Sequence, residues 1–116
     1  MVEMSPKLQS QIAQYQQLQQ QLQMVIAQKS QYSLQLEEVE RALEELGKTK
    51  GETPIYRSVG ALLVRVEKPE ELKKELEEAR DTLGIKVKSM ERQESQLKER
   101  FNGLRTELTR ALKGAG

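Results

Sequence analysis

A chain of 116 residues with 36% hydrophobic and 3% aromatic content allows one domain or one elongated module, with little apolar mass for a compact core. Its 19 Lys and Arg nearly cancel 18 Asp and Glu, so a net charge of +1 creates no global field toward nucleic acid or an anionic membrane. With neither Cys nor His, disulfides, thiolate chemistry, the commonest metal ligand and the commonest neutral-pH general base are all missing.

The opening "MVEMSPKLQSQ" has no basic n-region and no apolar h-region, and no apolar run approaches the roughly 18 residues of a membrane helix. A cytoplasmic protein without a membrane partner is expected. Helix one is predicted over 6–47. Its seam holds Leu8, Tyr15, Leu22, Lys29, Leu36 and Leu43, and three residues on from each stand Gln11, Leu18, Val25, Tyr32, Val39 and Leu46. Ten of these twelve are apolar, far above the chain average, which predicts a helix with one coiled-coil stripe. Ser5 suits the N-cap, Pro6 the first helical position, and Gly47 the left-handed conformation that ends a helix. Lys29 breaks the stripe. A lysine at a seam position fixes register or lets its charge snorkel outward along the aliphatic stem.

"GKTKGETP", residues 47 to 54, is a loop, and "IYRSVGALLVRV", residues 55–66, reads as two short strands, Ile55 to Ser58 and Ala61 to Val66, around a Val59-Gly60 turn. Leu62, Val64 and Val66 share one face of the second strand, Leu63 and Arg65 the other. A lone two-stranded hairpin is unstable in water and leaves both edges unpaired. Its partners must come from other chains. Ile55, Tyr56, Val59, Gly60, Leu62, Leu63, Val64 and Val66 are therefore the candidate oligomerisation residues, within a shared sheet or barrel.

Helix two is predicted over 69–113, with Glu70 and Glu71 in the first turn, where the helix dipole favours anions. Leu76, Leu83, Met90, Leu97, Leu104 and Ala111 form its seam, joined by Val87, Phe101 and Leu108. Leu72 and Ala79 lie on a rotated stripe, so the phase slips near Gly84. Two helices of matched length and a short connector fold back as an antiparallel pair. The predicted fold class is mainly α: a long antiparallel two-helix coiled coil joined by one β-hairpin that enters an intersubunit β-barrel.

In order and spacing, "QIAQYQQLQQQLQ", "ALEELG", "IYRSVGALLVRV", "KSMERQESQLKER" and the final "GAG" resemble prefoldin, specifically the archaeal beta subunit, over essentially the whole chain. The single hairpin is similar to that subunit, since the alpha subunit carries two. The resemblance implies an alpha2 beta4 hexamer of prefoldin alpha and beta subunits, with the hairpins forming a double barrel from which coiled coils hang. It also implies a chaperone without cofactor or ATP that holds unfolded client proteins at the coiled-coil tips and delivers them to a group II chaperonin.

The first 36 residues carry only the charges of Glu3, Lys7 and Lys29 amid many glutamines, so a client of either charge sign can approach. Val2, Met4, Leu8 and Ile12, with Leu108, Ala111 and Leu112, are the candidate client-binding residues at the open end, or they simply close the coiled coil. If the end splays, each large side chain brought against client gains roughly 1.5 to 3 kcal/mol before entropic losses. Several weak tips acting on one chain multiply their effect. Residues 86 to 113 carry eight cations against four anions, and Arg100, Arg105, Arg110 and Lys113 are candidates for docking on an acidic chaperonin surface, or a solvated face with salt-bridge partners.

Enzymatic chemistry is not expected, because the carboxylate clusters lie on exposed helical faces and no phosphate-cradling glycine loop is present. An RNA-binding arm is an alternative, but it calls for Lys and Arg where this chain has Gln, and it has no use for the hairpin. A structural tether is the other alternative.

Overall fold

The computed structural model describes residues 5–114. Helix α1 (Pro6–Lys48) is followed by strands β1 (Tyr56–Val59) and β2 (Leu62–Arg65), and helix α2 (Pro69–Gly114) completes the chain. The residues divide into two units: one takes α1 up to Ser30 together with α2 from Lys88 onward, and the other is Gln31–Val87.

Local chemistry accounts for the helix boundaries. At the start of α1 the Ser5 hydroxyl accepts from the Leu8 amide at 3.1 Å, and Pro6 takes the first helical position, where its missing N–H costs nothing. At the other end, Gly47 was expected to stop the helix in the left-handed region, but Gly60 is the one described residue with positive φ. Instead α1 continues to Lys48, and Thr49 turns back on Leu46, its hydroxyl donating to the carbonyl at 2.6 Å and its amide at 3.2 Å. The side chain supplies what a glycine cap would have supplied. Helix α2 opens on the Lys68 carbonyl, which accepts from the Glu71 amide at 3.1 Å, with Glu70 and Glu71 in the first turn.

In the first unit the two helices run antiparallel, since positions advancing along α1 meet positions receding along α2. Gln11 meets Glu107, the Tyr15 ring stacks on Phe101 with centroids 4.6 Å apart, and Lys29 meets Glu94. Leu18 and Leu108 are buried in this seam, flanked by the partly buried Leu22, Val25, Leu97 and Leu104. Each such residue contributes at most about 1.5 to 3 kcal/mol, and no wholly enclosed large side chain lies among the described residues. The core of one chain is thin.

In the second unit, partly buried Leu72, Leu76 and Ala79 lead to buried Leu83, and the next covered seam position is Val87. Two successive four-residue steps, Ala79 to Leu83 to Val87, produce the phase slip that the sequence places at Gly84, a local unwinding of the heptad. On α1 Leu36, Val39, Leu43 and Leu46 keep the heptad without interruption, and the Lys86 ammonium lies 5.3 Å from the Tyr32 ring centre.

The hairpin belongs to this unit. Its strands are antiparallel, with Tyr56 opposite Arg65, Arg57 opposite Val64, Ser58 opposite Leu63 and Val59 opposite Leu62. The turn residues are therefore Gly60 and Ala61, one position later than the expected Val59-Gly60. Gly60 has φ of 57° while Ala61 stays at negative φ, the dihedral signature of a type II′ turn with glycine first. Only glycine takes that φ cheaply, so it governs where the chain reverses.

Candidate interaction surfaces

The Val66 amide donates to the Ile55 carbonyl at 2.8 Å, which marks Ile55 and Val66 as a hydrogen-bonding position of the ladder. Antiparallel ladders alternate, so Arg57–Val64 and Val59–Leu62 are also bonded pairs, whereas Tyr56, Ser58, Leu63 and Arg65 aim their amides and carbonyls outward. Among the described residues the sheet has only these two strands, and both outer edges lack a third. Side chains repeat the pattern. Every residue of both strands is exposed, with Leu62 at 67% and Leu63 at 75% of full exposure.

Directly opposed residues share a face, so Ile55, Arg57, Val59, Leu62, Val64 and Val66 lie on one side and Tyr56, Ser58, Leu63 and Arg65 on the other. Arg57 is the one charge on the first side, and its guanidinium forks onto Glu75 of α2 at 3.3 and 3.4 Å. The cation is thereby neutralised within the chain. What remains is a ribbon of large apolar side chains between two hydrogen-bonding edges, a surface that water solvates poorly and that another strand fits.

At the helix ends, Leu8 and Ile12 are partly covered, and Leu108 is buried at 8% exposure. Ala111 and Leu112 are exposed, Leu112 to 56%. Val2 and Met4 lie outside the described residues. The candidate set is thus split by the fold: Leu108 closes the seam, whereas Leu112 presents apolar surface to solvent. Arg100, Arg105, Arg110 and Lys113 are exposed, and no ion-pair partner for them is found among the described residues.

Sequence reasoning singled out Lys29 and missed its partner. Glu94 is buried to 9% exposure and accepts from Lys29 across the helix pair, while Lys98, one turn on, approaches its second oxygen at 3.0 Å. The hydrogen bond from Lys29, then that from Lys98, hold the Glu94 carboxyl below its ordinary pKa against the opposing effect of burial. A signal was present: Val87, Glu94, Phe101 and Leu108 recur every seven residues, with Glu94 the one charge in an apolar row.

Among the described residues no group of acidic side chains could hold a metal, and no helix is long and apolar enough to cross a membrane.

The prefoldin subunit family matches residues 9–115 of this chain. Prefoldin subunit beta of Archaeoglobus fulgidus is 50% identical over 101 residues, which cover 87% of this chain and 86% of that protein. The corresponding subunit of Methanospirillum hungatei is 40% identical over 114 residues, covering 98% and 94%. Among solved structures, the prefoldin beta subunit from Thermococcus strain KS-1 matches with a TM-score of 0.82 at 33% identity over 97% of both chains. The beta2 subunit of that strain shares the fold, with a TM-score of 0.68 at 23% identity, covering 79% of this chain and 97% of its own.

Proposed function

This chain belongs to the prefoldin family as one of its beta-type subunits, and on that premise we propose that it works as an ATP-independent holdase subunit. It is a chaperone of that family and assembles with other prefoldin subunits. In our reading the assembly is an alpha2 beta4 hexamer in the cytoplasm, closed through the hairpins into a barrel. Its helix ends hold unfolded polypeptides and pass them to a group II chaperonin.

One observation carries this reading: the hairpin keeps its apolar side chains and both backbone edges open to solvent. Assembly through the hairpin leaves the helix ends free for work. There, exposed Leu112 and Ala111 offer apolar contact beside an α1 start rich in uncharged amides, which hydrate the surface without selecting for charge. Single contacts of this size are weak and quickly released, and several subunits acting on one client raise the effective concentration enough for capture.

The test leaves the seam intact. Ala111→Ser with Leu112→Ser, in the assembled complex, lowers suppression of aggregation of a chemically denatured client severalfold while subunit stoichiometry stays the same. Undiminished suppression would contradict client binding at this end.

A further inference from the structure

The apolar seam of the first unit discriminates poorly between alignments seven residues apart. In the α1 row Leu8, Tyr15 and Leu22 precede Lys29, and in the α2 row Phe101 and Leu108 follow Glu94. A slip of one heptad therefore replaces large apolar side chains with others of similar size, at modest cost in packing.

We propose that Lys29 and Glu94 are the positioning residues that lock the helix pair into one register. Lys29 is the single charge in its row along α1, Glu94 is the single charge in its row from Val87 to Leu108, and the two rows meet at this pair. After a slip of one heptad Lys29 falls opposite Phe101 or Val87, and Glu94 opposite Leu22 or Leu36. Glu94 would then stay covered without its cross-helix cation. Lys98 sits on the same helix as Glu94 and keeps its contact in any slip, so it favours no register over another, and the oxygen that Lys29 served is left without a cation. A covered carboxylate that loses one of its two cations is destabilised, so the penalty falls on every wrong alignment and is absent from the right one. Alignment in turn decides which residues stand side by side farther along, such as Gln11 with Glu107. This inference is independent of the function proposed above.

The chain contains no cysteine, so a cysteine pair reports register without background. In the intact chain, Gln11→Cys with Glu107→Cys marks the native alignment, since Gln11 Nε2 donates to Glu107 Oε2 at 3.5 Å. Gln11→Cys with Arg100→Cys, and Gln11→Cys with Gly114→Cys, mark the two slipped ones. A short bis-maleimide should join the native pair and leave the slipped pairs nearly untouched. Adding Lys29→Leu with Glu94→Leu preserves helicity and raises the slipped products by about tenfold or more. Reversing the charges with Lys29→Glu, Glu94→Lys and Lys98→Glu restores the native product alone, which a merely stabilising role would not require. If the leucine pair fails to fold, Lys29→Met with Glu94→Gln removes the same charges at similar length, and the same outcomes apply. Native cross-linking that persists unchanged in the charge-free variants would overturn the proposal.

Discussion

Arg57 of β1 and Glu75 of α2 meet through two parallel contacts, Nη1 to Oε2 at 3.3 Å and Nη2 to Oε1 at 3.4 Å, which tie the hairpin to the helix that follows it. Both side chains are about half exposed, so the pair adds at most about 1 kcal/mol to stability. Its larger effect is orientation, because a forked guanidinium fixes an angle as well as a distance. Arg57→Ala should leave thermal unfolding of the chain nearly unchanged while weakening assembly with other subunits. Arg57→Glu with Glu75→Arg should recover it. Titration by analytical ultracentrifugation checks both, and wild-type assembly by Arg57→Ala would show the fork to be dispensable.

The depressed pKa of Glu94 fixes the sign of a pH effect. A carboxyl that ionises more readily in the folded chain than in the unfolded one stabilises the fold above the ordinary glutamate range. That contribution is lost as pH falls through the depressed value, when Lys29 and Lys98 face a neutral acid. Melting followed by circular dichroism should show the wild type losing stability on acidification through this window, and Glu94→Gln should be less stable at neutral pH with a shallower acid limb. Superimposable profiles would contradict the assignment.

How much of this was legible in the sequence varied with the strength of the local signal. Both helices end within one residue of their predicted bounds, because a heptad stripe is overdetermined by repetition. The turn was displaced by one residue because Val-Gly and Gly-Ala both suit a tight reversal, and the cross-strand register decides between them. Gly47 misled because its conformational freedom permits a cap without requiring one, and Thr49 supplied the cap. Glu94 escaped notice because a charged residue reads as solvent-facing until its heptad row is traced. Only the packing of the helix pair separates Leu108 from Leu112, since neighbouring turns of one helix look alike in composition.

The exposed cations Arg100, Arg105, Arg110 and Lys113 have a consequence for kinetics. If they steer docking on an acidic chaperonin surface, replacing all four with glutamine should lower the association rate severalfold at low salt and flatten its dependence on ionic strength. Stopped-flow binding to a group II chaperonin measures both quantities. Unaltered rates would remove these residues from the encounter.

The most direct measurement concerns the outward backbone groups of the hairpin. Proline at Ser58 or Leu63 deletes an amide that points to a free edge and spares the bonds between β1 and β2. Native mass spectrometry of the wild-type chain mixed with an alpha-type prefoldin subunit should give a six-chain complex. Ser58→Pro with Leu63→Pro should give separate chains whose helicity is unchanged. A six-chain complex that survives both prolines, or a wild-type chain that remains a monomer on mixing, would contradict the account.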